Sequence, residues 1–353
     1  MKRLAPIFLL AAACHGPTLP IDIRHAYDIE RTHDDSASLD AWKAIYARCE
    51  ARLVSGQKAR PHDDCGLAAY RVAQMEERLE HFRVARDAYL NVPEMAHEPR
   101  TNARAMTRAA EITSERLHDD AFADELAWRT VDAFPDEVPT DDALRLAIKL
   151  GIKSDPSALA KRLDGLIARM RKTDLADNLI FERAEIDRTV LNDPAGAIKE
   201  YDLLIAEYPH SSLRDEAFMN AAHLERAGGN FQGAIHRLRQ LLATRRDALI
   251  VGSYNSIYLE QAELEVGQIF LDDLHEPDRA AEAFATLADD FKTSTMRDDG
   301  LLELSRAYLA RHTPPADADK RDACKALHRL VRDFPDGNMV RRAKEKLGEL
   351  GCE

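Results

Sequence analysis

Aromatic side chains make up only 6% of this 353-residue chain, and runs rich in Val, Ile and Thr are nearly missing, while Ala, Leu, Arg, Asp and Glu dominate. That scarcity argues against a β-sheet protein and predicts a mostly helical one. Basic charge is also in deficit: 49 Lys and Arg against 62 Asp and Glu give a formal net charge of −13. A general nucleic-acid binder needs clustered cations to neutralise phosphates, so that class is excluded. The two basic runs, "RMRK" (169–172) and "RRAKEK" (341–346), are short, flanked by acids, and read as solvated helix faces. The chain contains no Gly-rich phosphate loop, no His-Glu-x-x-His, no Cys-x-x-Cys and no Gly-x-Ser-x-Gly. There is therefore no positive ground for an enzyme, and no cofactor is expected.

A long hydrophobic run is missing as well. The one apolar stretch at the start, Leu4 to Ala13 in "MKRLAPIFLLAAACHGP", is too short to span a bilayer, but it follows two basic residues and leads through small residues to Cys14. This layout resembles a bacterial lipoprotein signal, which implies cleavage before Cys14 and acylation of its thiol and new amine. Ala11-x-Ala13 equally fits an ordinary export signal that leaves Cys14 as a free thiol. His15 follows the cysteine, and the sorting rule of such lipoproteins then implies the outer membrane, with the periplasmic side expected. Residues 1–13 are accordingly read as signal peptide and 14–38 as a lipidated N-terminus and flexible tether.

Cysteines are few, five in all. Acylating Cys14 leaves the even set Cys49, Cys65, Cys324 and Cys352, and the expected pairs are Cys49–Cys65 and Cys324–Cys352; the alternative is four reduced, buried thiols.

What the chain has in abundance is a repeat. "ADELAWRTVDAFPDE" (123–137), "AIKEYDLLIAEYPHSS" (197–212) and "ACKALHRLVRDFPDG" (323–337) each place Ala twelve residues before a proline that follows an aromatic residue. The same phase falls on Ala160, Ala234 and Ala280, and the anchors 123, 160, 197 and 234 are 37 residues apart. A helical period between 20 and 50 indicates stacked supersecondary units. Within a unit, Ala197, Tyr201, Leu204 and Tyr208 form one helix stripe; Ala280, Phe284, Leu287, Phe291 and Ala323, Leu327, Leu330, Phe334 are equivalent. The small Ala admits a partner helix, and proline then ends the helix.

These residues resemble the tetratricopeptide repeat family. The resemblance implies an all-α, right-handed superhelical solenoid of antiparallel helix pairs over 101–353, closed by a polar C-terminal capping helix in "MVRRAKEKLGELGCE", with a divergent helical region at 39–100. "ARHTPPADADKRDA" (310–323) reads as an enlarged turn inside the last pair. With the lipoprotein signal, the chain resembles BamD-type outer-membrane assembly lipoproteins and the periplasmic coordinator of the Tol-Pal system.

The function so implied is a membrane-anchored, non-enzymatic scaffold binding envelope proteins or peptides in its concave groove; a barrel-assembly subunit and a cell-wall-active enzyme are the alternatives. Groove candidates on the first helices are Glu182, Ile186, Met219, His223 and Arg226. His-Asp-Asp occurs three times, at His33–Asp35, His62–Asp64 and His118–Asp120. Such residues can ligate zinc, but Asp is also a favoured N-cap, and each triplet precedes or opens an expected helix, so no metal site is expected.

Overall fold

The computed structural model describes residues 21–54, 65–251, 258–291 and 294–352. The expected signal peptide, Cys14 and His62–Asp64 lie outside them. Among the described residues there are seventeen α-helices and no strand. The chain falls into two compact units. The first holds α1 (Ile21–Glu30), α2 (Asp35–Val54), α3 (Cys65–Arg78), α4 (Phe82–Met95), α5 (Pro99–Glu115), α6 (Asp120–Ala133) and α7 (Thr140–Ser154). The second holds α8 (Pro156–Met170), α9 (Ala176–Ile186), α10 (Pro194–Glu207), α11 (Arg214–Ala227), α12 (Phe231–Val251), α13 (Tyr258–Gln268), α14 (Pro277–Asp290), α15 (Arg297–Leu309), α16 (Asp317–Asp333) and α17 (Val340–Leu350). One π-helical turn extends α9 (Asp187–Leu191) and another extends α13 (Ile269–Asp273). Within each unit every helix packs on the next through a short connection, the arrangement of antiparallel helix pairs.

Six of the described turns share one backbone device. A residue with positive φ ends the first helix: His33 (59°), Glu80 (62°), His118 (57°), Asn192 (50°), Gly229 (80°) and His275 (55°). This left-handed step reverses the chain in very few residues. An Asp or Asn often follows and caps the second helix. Asp34 accepts from the Ala37 amide at 2.9 Å, Asp119 from Phe122 at 3.1 Å, Asp193 from Gly196 at 3.0 Å and Asn230 from Gly233 at 3.2 Å. The described His-Asp-Asp triplets are thus turn residues followed by a cap.

At the other end of the pair, Phe134, Tyr208, Phe291 and Phe334 occupy the position just past the second helix with extended or bridging backbone. Proline follows three of them and enforces that conformation; Phe291 adopts it without one. The anchor alanines carry the packing between helices. Ala123, Ala197, Ala234, Ala280 and Ala323 are completely buried, as are Tyr201, Leu238, Phe284 and Leu327 from the same stripes. The divergent unit at Ala160 packs through Leu163, Leu166, Ile167 and Met170, all buried. A second small position tightens one pair further: a Cβ on Gly267 would lie 2.4 Å from the Phe284 ring, so α13 and α14 meet at a distance only glycine allows.

Several expectations need correction. Residues 21–38 are not a tether: Ile23 and Ala26 of α1 are buried with Leu39, Trp42 and Ile45 of α2 in the core of the first unit, and the Tyr27 ring meets the Trp42 ring edge-on at 5.2 Å. The polar residues around them had concealed one narrow apolar stripe. The boundary expected at residue 100 is also displaced, since α4 packs on α5 and the first unit runs on to Asp155. The enlarged turn is shorter than expected, because α16 already begins at Asp317. The C-terminal helix α17 is where the repeat required it, with Val340 and Ala343 buried and most other positions exposed. Disulfides join Cys49 to Cys65, linking α2 to α3, and Cys324 to Cys352, linking α16 to the residues after α17, with Cα separations of 5.6 and 5.7 Å.

Candidate partner-binding site

In a stack of helix pairs the first helix of each pair offers its outward strip to a ligand. In the second unit this strip is largely taken up by contacts between neighbouring first helices. His223 of α11 bonds both carboxylate oxygens of Glu265 on α13, at 2.8 and 3.0 Å, and the Gln261 amide donates to Glu265 at 2.9 Å. The Arg226 guanidinium donates to Asp273 at 2.7 Å. Asn220 donates to Glu185 of α9 at 3.1 Å, and Glu185 also accepts from the buried Tyr201 hydroxyl. Burial, and then the Glu185 carboxylate, push the Tyr201 phenol above its ordinary pKa, so it remains a donor. Arg306 of α15 pairs with Asp272 in the same manner.

The groove set expected from the sequence is therefore not assembled as a ligand surface. Ile186 and Met219 are 1% and 2% exposed and belong to the core. A first helix in mid-array packs against its own partner and against the preceding pair, so its free strip is narrower than the periodicity suggests. Glu182 is half-buried, and His223 and Arg226 serve as cross-links. Among the described residues no group of three or more His, Cys, Asp or Glu side chains is disposed to hold a metal.

The first unit presents a different surface, one that the sequence reading passed over. There Glu77 of α3 links its own helix to α4 and α5: it accepts from the Tyr89 hydroxyl at 2.9 Å and from Arg108 Nε at 3.0 Å, while Arg108 also reaches Glu111 at 2.6 Å. Burial, then Glu77, raise the pKa of the Tyr89 phenol, and Glu77 foremost holds Arg108 charged. Two open pockets flank this network. One, of about 250 Å³, lies among Tyr70 of α3, Arg100, Arg104 and Thr107 of α5, and Val138 and Pro139 before α7. The other, of about 390 Å³, is lined by Gln74, Glu77, Phe82, Tyr89 and Arg116, and shares Tyr70 and Arg108 with the first. Arg116 lies over the Phe82 ring at 5.4 Å, so that pocket combines cation and aromatic faces. The signal available in the sequence was the spacing Arg100, Arg104, Arg108, a basic stripe of period four in an acidic chain.

Residues 299–337 match the tetratricopeptide repeat. They span α15, its turn and α16, and include the Phe334-Pro335 stop. No curated protein matches the sequence. Among solved structures, the chain is similar to PilW, a widely conserved type IV pilus biogenesis factor, at 15% identity over 79% of this chain and 98% of that one, with a TM-score of 0.36. It is similar also to a tetratricopeptide repeat protein from Parabacteroides merdae (14% identity, 81% and 97% covered, TM-score 0.34) and to the C-terminal part of a repeat protein from Cytophaga hutchinsonii (11%, 91% and 98%, TM-score 0.42). All are below a TM-score of 0.5, and none bears on what this chain does.

Proposed function

We propose that this protein is a protein–protein interaction scaffold that acts by binding and not by catalysis, anchored to the outer membrane through lipid on Cys14 and facing the periplasm, where it engages other envelope proteins. The observation that carries the binding site is the contrast between the two units: polar side chains on the first helices of the second unit are spent on one another, whereas in the first unit two open, cation-lined pockets flank the Glu77–Arg108 network. The export-signal layout before Cys14 and the two disulfides support an oxidising compartment. Among the described residues no helix is long and apolar enough to cross a membrane, so attachment in this reading is carried by the N-terminal lipid.

Barrel assembly and the Tol-Pal system are the two envelope roles whose lipoprotein or repeat patterns the sequence resembles, and the identity of the partner separates them. A photo-crosslinking residue placed at Tyr70 or Val138 in intact cells, followed by mass spectrometry, should capture a discrete envelope protein. Absence of any adduct from either position overturns the scaffold reading. Mass spectrometry of the mature N-terminus should find an acylated Cys14; an unmodified thiol there sinks the anchor.

A further inference from the structure

We propose that the smaller pocket of the first unit receives a side-chain carboxylate of an extended acidic segment in the partner protein, clamped by Arg100 and Arg104, with an adjacent apolar side chain seated on Val138. This inference rests on the scaffold reading and adds the chemistry of the ligand.

Arg100 and Arg104 stand one turn apart on the same face of α5, with Cβ atoms roughly 6 Å apart in ordinary helix geometry. Both side chains are exposed, and among the described residues neither has a carboxylate partner. Their neighbours differ: Arg71 and Arg78 share Glu30, Arg86 holds Asp87, and Arg108 holds Glu77 and Glu111. In a chain with 62 acids against 49 bases, two adjacent uncommitted guanidinia in a pocket are not expected from composition. The carboxylates at the rim do not fill the vacancy, because Glu111 is taken by Arg108 and Asp142 by Arg145. The half-buried Tyr70 hydroxyl has no hydrogen-bond partner among the described residues and adds a neutral donor beside the two cations.

The apolar contact comes from Val138, 68% exposed, the most exposed large hydrophobic side chain among the described residues. Donors for an oxyanion beside an uncovered valine fit an acidic residue next to an aliphatic one. The continuation of the surface past Tyr70 and Arg108 into the second pocket, with Gln74 and Phe82, fits a chain that runs through and does not end there. Polyanions such as nucleic acid are disfavoured by the net charge of −13.

The test uses mature, oxidised protein and a fluorescent peptide of alternating Glu and Leu, acetylated and amidated at its ends. Anisotropy should report binding that weakens at least about tenfold for Arg100→Gln with Arg104→Gln, the loss expected for charge-assisted hydrogen bonds. Binding should also weaken for the Gln-for-Glu peptide and for Val138→Ser, and fall with added salt. The arginines are exposed, so circular dichroism of the double variant should match the parent. No binding, or binding indifferent to the double variant, overturns the proposal. So does tighter binding of a peptide with a free C-terminal carboxylate, or equal competition by inorganic phosphate. If the peptide fails while crosslinks at Tyr70 persist in cells, the acidic ligand class falls and the scaffold stands; if the crosslinks are also lost, both fall.

Discussion

Arg226 on α11 donates through Nε to Asp273 at 2.7 Å, joining the first helices of two successive pairs across the strip that the repeat pattern marks as a groove. The bond is half-sheltered, with side chains 29% and 23% exposed. Its role is to hold the array, and Arg226→Glu should lower stability by about 1 kcal/mol while leaving the crosslinked partner unchanged. Combining it with Asp273→Arg should restore the denaturation midpoint. A lost partner at full stability would return Arg226 to the binding surface.

His118 has φ of 57°, and the Asp119 carboxylate after it caps α6. The backbone, not the imidazole, is what this position selects. His118→Val should destabilise the first unit by about 1–2 kcal/mol, since a β-branched side chain is disfavoured in the left-handed region, whereas His118→Gly should stay within about 1 kcal/mol of the parent. Urea denaturation followed by circular dichroism distinguishes the two, and equal loss in both variants would point to a role for the ring.

The Cys324–Cys352 bond closes a loop of 28 residues and fastens the end of the chain to α16. Chain-entropy arguments give such a crosslink about 3–4 kcal/mol. Cys352→Ser should therefore raise amide exchange in α17 and the last turns of α16 while leaving α9 to α11 little changed, because repeat arrays are stabilised by nearest neighbours. Uniform loss of protection across the second unit would contradict that locality.

Glu76 is buried, which alone would raise its pKa, but Lys43 at 2.7 Å and His81 at 2.8 Å bond its carboxylate and hold it below the usual carboxylate value. With the folded pKa depressed, the unfolded chain binds more protons in acid. The contribution is complete above the unfolded value and is lost as pH falls through the folded one. Glu76→Gln should cost about 1–3 kcal/mol at neutral pH and flatten the acid limb of a stability profile measured on the first unit. An unchanged acid limb would mean that other carboxylates set it.

The fold was legible because its signals are local. Ala, two bulky residues and an aromatic at successive intervals of four, three and four say which face of a second helix is buried, and a proline says where the chain turns. Helix α1 was not legible in the same way, since its apolar face consists of little more than Ile23, Ala26 and Tyr27 and is completed by Trp42 and Ile45 from the next helix. The site was misplaced for a related reason. Whether a residue on a first helix faces a ligand depends on charged partners some forty residues away, as His223 and Glu265 show, and single-helix periodicity carries no such information. Arg100 and Arg104 stand apart because those distant partners are missing among the described residues, a property visible only once the helices are placed.

Val340, Ala343, Leu347 and Leu350 turn the apolar side of α17 onto the helix pair before it. The bond from Cys324 to Cys352 then locks the lid in place. Oxidation therefore decides how firmly α17 is held: wherever thiols are kept reduced, it rests on a few aliphatic contacts alone.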